Sequence, residues 1–290
     1  MARVCTLIVN PVSGGYSGQR LRQVVAALEA GGVAPELLLT EKADDAEHFS
    51  RRICQEREDP FIIAAGGDGT VNGVINGLAA ERATLAVLPL GTANVLAAEL
   101  EITSPADAVA RIVRGATRPL TVGLLEADGV RRRFLLMAGI GVDGSIVRGV
   151  RVREKRVIGK GAYLLSAARL LRGWERDRLE VTAGGRRIEC HSVVVCNSAR
   201  YGGGFIIAPG AELFTPEFQV TCITADSRSA YLRFALAVIS GRVMNNRDIV
   251  RFSAGDLLVS GEKPVQADGD YCCHAPVRIT AMPGFARLVV

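Results

Sequence analysis

Over roughly its first 120 residues the chain alternates strand patterns with helix patterns, and this limits it to few architectures. Val4–Val9 reads as a strand, and Leu21, Val24, Val25 and Leu28 repeat after it at helical spacing. Glu36–Leu39 is the next strand, followed by a helix from about Asp45 to Glu56. The apolar run Phe61–Ala65 then leads into Val71, Val74, Ile75 and Leu78, spaced i, i+3, i+4, i+7. A strand at Leu85–Leu90 precedes a helix predicted from Ala93. A further helix carries its own punctuation: Ser104 as N-cap, Pro105 at the first helical position, and Gly115 past the end. Strands joined by crossover helices predict a doubly wound parallel sheet, which binds ligands at the carboxyl ends of its strands.

After Arg118 the pattern changes. Short strands dominate, with turns at Asp128-Gly129 and Gly184-Gly185 and strand runs at Val193–Cys196, Gln219–Ile223, Leu257–Val259 and Val277–Thr280. Two helices interrupt them, over Ala162–Trp174 and Ser229–Ile239. The expectation is a nucleotide-binding α/β domain over residues 1–122 and a mainly antiparallel β-sandwich over 123–290, with the last strand free to return to the first domain.

Composition narrows the classes. The seven cysteines are odd in number, form no CxxC pair and mostly sit in apolar runs, so free thiols in a reducing compartment are expected. The chain opens directly on a strand pattern, and no apolar run approaches the ~18–20 residues that cross a bilayer. A cytoplasmic protein is expected, peripheral at the inner membrane surface. A net charge of +5 permits contact with an anionic membrane without requiring it. No nucleic-acid partner is expected, and a homodimer is left open.

Gly66-Gly67-Asp68-Gly69-Thr70 lies between the Phe61–Ala65 strand and its helix. A glycine turn there presents backbone N–H groups to an anion, and three glycines let phosphates approach closely. The lone carboxylate, Asp68, suits a Mg²⁺ carried by those phosphates. An ordinary turn capped by Asp68 and Thr70 would carry the same letters. Asn10-Pro11-Val12-Ser13-Gly14-Gly15 and Gly91-Thr92-Ala93-Asn94 repeat the logic, and with Thr40 all four segments follow strands. A parallel sheet would gather them along one edge.

Gln266-Ala267-Asp268-Gly269-Asp270 sets two carboxylates about a glycine, and reads equally as a hairpin turn or as part of a site. Gly139-Ile140-Gly141-Val142-Asp143-Gly144 satisfies GxGxxG, but it follows a strand Phe134–Met137 in the β-rich half, with no βαβ unit around it. No GxxxxGK[ST] loop is present. Basic residues gather at Arg131, Arg132 and Arg133 and at Arg148, Arg151, Arg153, Lys155, Arg156 and Lys160. They read as a solvated charged loop or as a contact for anionic lipid.

These segments, with Gly159-Lys160-x-Ala162-Tyr163, Tyr201-Gly202-Gly203-Gly204 and Ala208-Pro209, resemble the diacylglycerol kinase catalytic-domain superfamily, nearest its bacterial lipid kinase branch and related to sphingosine and ceramide kinases. The resemblance spans Val4 to Val290. It implies an active site in the cleft between an α/β domain and a β-sandwich domain. It further implies an ATP-dependent lipid kinase acting on a diacylglycerol-like or related lipid hydroxyl at the membrane surface. By it, Asn10, Ser13, Gly14, Thr40, Gly66, Gly67, Asp68, Gly69, Thr70, Asn72, Thr92 and Asn94 would hold ATP, with Asp68 near the catalytic Mg²⁺. Asp268 would be the general base, with Asp270 and Asp68 completing the catalytic set.

Two positions depart from the family pattern. Val95 stands where an Asp often joins a metal–water network, and Leu213-Phe214-Thr215-Pro216-Glu217-Phe218 replaces an Asp-Asp-Gly segment of a structural Mg²⁺ site. Phe214 and Pro216 offer no side-chain oxygen, so that structural Mg²⁺ is predicted absent. Two other readings are carried forward: an NAD kinase-like enzyme, which shares the Gly-Gly-Asp-Gly loop, and a nucleotide- or lipid-binding module with impaired catalysis.

Overall fold

The structure is a computed structural model and describes residues 3–151, 161–201, 204–242, 244 and 247–290. It divides into two compact units. One comprises Met1–Val122, Arg200–Gly204 and Met282–Val290; the other comprises Gly123–Ala199 and Phe205–Ala281.

The first unit is a parallel sheet. Strand β1 (Arg3–Val9) pairs with β2 (Val33–Leu39) and β3 (Phe61–Gly66), and β3 pairs with β4 (Thr84–Pro89), giving the order β2-β1-β3-β4. Ile62, Ile63, Ala64 and Ala65 are fully buried, as a parallel strand covered on both faces must be. The crossover helices are α1 (Gly18–Ala30), α2 (Asp45–Glu56), α3 (Asp68–Gly77), the short α4 (Val95–Glu99) and α5 (Pro105–Arg114). Ser104 caps α5 by accepting the Asp107 N–H at 3.1 Å, and Gly115 ends it at φ 73°. Helices α2 and α3 approach closely because α3 carries glycine on the shared face. A Cβ on Gly77 would lie 2.2 Å from the Glu47 carbonyl oxygen.

The second unit begins within β5 (Thr117–Ala127), which turns at Asp128-Gly129 into β6 (Val130–Phe134). Then come β7 (Met137–Ile140), α6 (Val142–Gly149) and α7 (Gly161–Leu170). The hairpin of β8 (Leu179–Ala183) and β9 (Arg186–Cys190) precedes β10 (Ser192–Cys196). The short β11 (Arg200–Tyr201) belongs to the first unit, and β12 (Phe205–Ile206) to the second. The chain continues through β13 (Phe218–Ile223), α8 (Arg228–Ile239), β14 (Ile249–Ala254), β15 (Asp256–Ser260), β16 (Pro264–Ala267), β17 (Asp270–His274) and β18 (Val277–Val289). One antiparallel sheet runs β14-β13-β10-β7-β16-β17. Its inner residues Ile140, Val193, Val195, Val220 and Val265 share a core with Val181, Val259, Val277 and Ile279 from strands β8, β15 and β18. The second unit is thus an antiparallel β-sandwich.

Strand β18 serves both units in turn. Val277–Thr280 pairs with β15, whereas Arg287 and Leu288 pair in parallel with Thr84 and Leu85 of β4.

The structure corrects three sequence expectations and adds one helix. Helix α4 starts at Val95, not Ala93, because Asn94 sits in the left-handed region at φ 46°. Helix α7 ends at Leu170, short of Trp174. Phe134–Met137 is not one strand: β6 ends and β7 begins within it. Helix α6 has no counterpart in the sequence pattern, since its two glycines and three β-branched residues leave no helical signal.

Candidate active site

Register fixes the first half of the site. Val9 lies opposite both Leu39 and Ala65, and Gly66 lies opposite Pro89, so the four strands end along one edge. The next residues stay in line, with Thr40 N–H donating to Val9 O, Asn10 N–H to Ala65 O and Leu90 N–H to Gly66 O, each at 2.9 Å. The loops after β1, β2, β3 and β4 therefore stand side by side.

Close backbone approach explains the glycines. A Cβ on Gly66 would meet Thr70 Oγ1 at 2.3 Å, and one on Gly91 would lie 2.4 Å from the Gly67 Cα. Gly69 is different: it is exposed, and a Cβ there would meet nothing within 4 Å. The Asn10 amide donates to Thr70 Oγ1 at 3.2 Å and accepts the Val12 N–H at 3.1 Å, tying the β1 loop to the β3 loop. Gly14 faces Thr92, whose Oγ1 is 3.4 Å from the position of a Cβ on that glycine. Thr92 and Gly14 are exposed, Ser13 is half-buried and Thr40 is buried.

Asn94 and Asn72 are also tied to the protein itself. The Asn94 side chain closes a ring on Gly91, accepting its N–H at 2.9 Å and donating to its carbonyl at 2.7 Å. Asn72 is only 4% exposed, and its Oδ1 accepts from Asn76 within α3 at 3.1 Å. The other predicted residues of this half lie on the shared edge.

Asp68 accepts the Val95 N–H at 3.0 Å and the Leu96 N–H at 3.1 Å, one on each carboxylate oxygen. It thereby caps α4 from the first turn of α3. Each oxygen keeps a further lone pair. Asp68 is the one carboxylate in the loops after β1, β3 and β4. That donor set fits a hard divalent ion bound mainly by nucleotide phosphates and water.

The second unit holds the other carboxylates. Asp268 and Gly269 are the two-residue turn of the β16–β17 hairpin, at φ 48° and 87°. This is the positive-φ geometry of a tight hairpin turn. Asp268 accepts the N–H groups of Leu135 at 2.6 Å, Leu136 at 2.8 Å and Met137 at 3.0 Å. The gap between β6 and β7 exists because those amides turn to this carboxylate. Gln266 is 1% exposed and locks the turn: its Oε1 accepts the Gly269 N–H at 2.7 Å, and its Nε2 donates to buried Asp143 at 2.6 Å. Gly139 leaves room for Asp143, since a Cβ there would lie 1.9 Å from its Oδ2. In sequence Gln266 merely opens this segment, and its locking role shows only once Gly269 and Asp143 are placed around it. Asp270 is exposed and, with Arg131, Arg132 and Tyr271, lines a cavity of about 280 Å³.

The GxGxxG-like segment is a strand followed by a helix, but β7 is antiparallel to both neighbours, so no βαβ unit surrounds it. Its Val142 N–H donates to Ser192 Oγ at 3.0 Å. Ser192 joins Tyr231 at 2.7 Å, and the Tyr231 hydroxyl joins His191 Nδ1 at 2.8 Å. His191 Nε2 lies 2.8 Å from the Glu175 carbonyl, which only accepts, so this nitrogen carries the proton. Burial, the largest influence, holds the imidazole below its ordinary pKa. Trp174 stacks on that ring and edges Tyr231, making it part of this buried cluster.

All seven cysteines are free thiols. Burial and the neighbouring Cys273 push the Cys272 thiol up to about 11, which leaves little thiolate in the vicinal pair. Arg148 approaches His274 at 3.0 Å, and Arg131 pairs with Glu126 at 3.3 Å. Arg153, Lys155, Arg156 and Lys160 lie outside the described residues, as do Gly159, Gly202 and Gly203.

A unit with a parallel sheet and glycine loops on one edge, and a second unit that is a sandwich with a fixed carboxylate turn, make the framework of a kinase. Residues 4–125 match the diacylglycerol kinase catalytic domain, and residues 137–290 match the YegS C-terminal NAD kinase beta sandwich-like domain. A diacylglycerol kinase of Bacillus subtilis is 30% identical over 279 residues, covering 91% of this chain and 89% of that protein. A YegS-like lipid kinase of Chromohalobacter salexigens is 27% identical, covering 96% of this chain and 90% of that one. The crystal structure of a Bacillus anthracis protein assigned as a diacylglycerol kinase superposes with a TM-score of 0.82 at 25% identity, covering 99% of this chain and 94% of that one. The chain belongs to the diacylglycerol kinase catalytic-domain family, in its bacterial lipid kinase branch.

Proposed function

We propose that this kinase transfers the γ-phosphate of ATP to the free hydroxyl of diacylglycerol or a related lipid at a membrane surface. The observation that carries the reading is the alignment of the loops after β1, β2, β3 and β4 along one sheet edge, in a chain of this family. Exposed Gly69 and Thr92 leave backbone amides and a hydroxyl open to phosphate oxygens. Asn10 and Asn94 hold the flanking turns in shape, so their part in ATP binding is preorganisation. Bound with the nucleotide, Mg²⁺ would supply neutralising charge on the phosphates, with Asp68 facing it directly or through water.

In this reading Asp268 accepts the proton of the attacking lipid hydroxyl. Its three backbone hydrogen bonds fix the carboxylate in one orientation, and a positioned base is typically worth ~10²–10⁴ in rate. Asp270 adds negative charge beside Arg131 and Arg132 at the rim of the neighbouring cavity.

The test is transfer of label from γ-labelled ATP in mixed micelles to diacylglycerol, phosphatidylglycerol, a sphingoid base and NAD⁺. Labelled lipid is expected. Transfer to NAD⁺ alone would overturn the reading, and ATP binding without any transfer would make the chain a binding module.

A further inference from the structure

Helix α8 turns its apolar residues outward. Leu232, Leu236 and Ile239 are 59%, 57% and 62% exposed, and their i, i+4, i+7 spacing places them in one stripe. The face toward the sandwich is held by Ala230 and Tyr231, which are buried. Strand β12 lies against α8 and adds Phe205 and Ile206, each about two-fifths exposed. An apolar stripe this continuous marks a contact surface.

Charge says what it contacts. Helix α8 carries no acidic residue. Arg228 opens the stripe at its N-terminal end, and exposed Arg242 and Arg247 follow its C-terminus. Over residues 226–251 there are five arginines and two aspartates. Both aspartates face arginine: Asp248 lies 3.7 Å from Arg233, and Asp226 lies 3.9 Å from Arg178. An apolar stripe bracketed by cations is the pattern of a helix lying in the interface of an anionic bilayer, its arginines reaching headgroups while the stripe enters the acyl boundary. A protein partner fits less well. Stable interfaces bury roughly 800 Å² per partner, which five partly exposed side chains do not supply.

We infer that α8, with Phe205 and Ile206, is the surface by which this protein docks on anionic lipid. The inference rests on the reading that the acceptor is a membrane lipid, for such an enzyme must reach its substrate in the bilayer plane.

The experiment is co-sedimentation with phosphatidylcholine vesicles with and without phosphatidylglycerol. The full chain is compared with the triple variant Leu232→Ser, Leu236→Ser, Ile239→Ser. Wild type is expected to partition onto anionic vesicles, less so as salt rises, and the variant at least about a hundredfold more weakly. Its melting temperature and its activity on a monomeric short-chain diacylglycerol should be unchanged. Equal partition of the two proteins would overturn the inference. So would a wild-type dimer, dissolved in the variant, that binds no vesicle, since the stripe would then be covered by a second copy. In Leu236→Trp, fluorescence added to that of Trp174 should be quenched by bromine-labelled acyl chains, and absence of quenching also counts against docking. Vesicle partition needs no turnover, so failure of docking and failure of the kinase reading give different results.

Discussion

Asp268 and Met137 bond to each other twice. The Asp268 N–H donates to the Met137 carbonyl at 2.9 Å, and the Met137 N–H donates to the Asp268 carboxylate at 3.0 Å. With Leu135 and Leu136 also donating, the proposed base is itself a structural clamp across β7. Asp268→Asn would aim an amide N–H at one of three amide donors. It is expected to cost about 1–3 kcal/mol of stability as well as lowering turnover at least ~10²-fold. Thermal melts and single-turnover transfer on the same preparation separate the two effects. Turnover near wild type would remove Asp268 from the chemistry and leave it the clamp alone.

The glycines of the β3 and β4 loops should divide by the space around them. Gly91→Ala sets a methyl 2.4 Å from the Gly67 Cα, a backbone atom that cannot step aside, so destabilisation is expected. Gly69→Ala meets open space, so its melting temperature should stay near wild type. If phosphate lies over Gly69, that methyl will still weaken ATP binding, readable by nucleotide titration.

Asp68 carries two duties in the proposed mechanism, and substitution should expose both. Asp68→Asn keeps one acceptor for the Val95 and Leu96 amides and turns an N–H donor toward the other. A loss of about 1–3 kcal/mol is expected from the unsatisfied group. Titration of Mg²⁺ at fixed ATP should show a raised requirement for the ion, which a purely capping role would not produce.

Stability should fall on mild acidification through His191. Burial lowers its pKa from the ordinary 6.5, so the folded protein keeps a neutral ring where the unfolded chain takes up a proton. Its contribution is complete above about pH 6.5 and is lost as pH falls toward the lowered folded value. Melting temperatures measured downward from neutral pH should decline in that window. His191→Gln, whatever its own stability, should flatten the slope there.

The first unit was legible because parallel strands are continuous apolar runs and their crossovers carry helical stripes. Phe61–Ala65 and Ser104–Gly115 declare themselves by composition alone. Helix α6 was illegible because glycine and β-branched residues conceal it. The Asp268 turn was legible as a turn, yet its partners sit more than 130 residues earlier, and no local pattern announces that three backbone amides will face it. The bonds of Asn72 and Asn94 were illegible for a related reason. Their residue type suggests a ligand contact but says nothing of the bonds they make to Asn76 and Gly91.

The passage of β18 from one unit to the other sets an order on synthesis. Residues 282–290 belong to the first unit, and Arg287 and Leu288 pair with the β4 edge. A ribosome that has released the first 122 residues has therefore released an open-edged sheet, and an unpaired strand edge invites aberrant pairing. Among the described residues, Arg287 and Leu288 cover it. Completion of the first unit's sheet thus waits on residues 282–290, so fragments cut near residue 122 should aggregate where a chain that includes those residues does not.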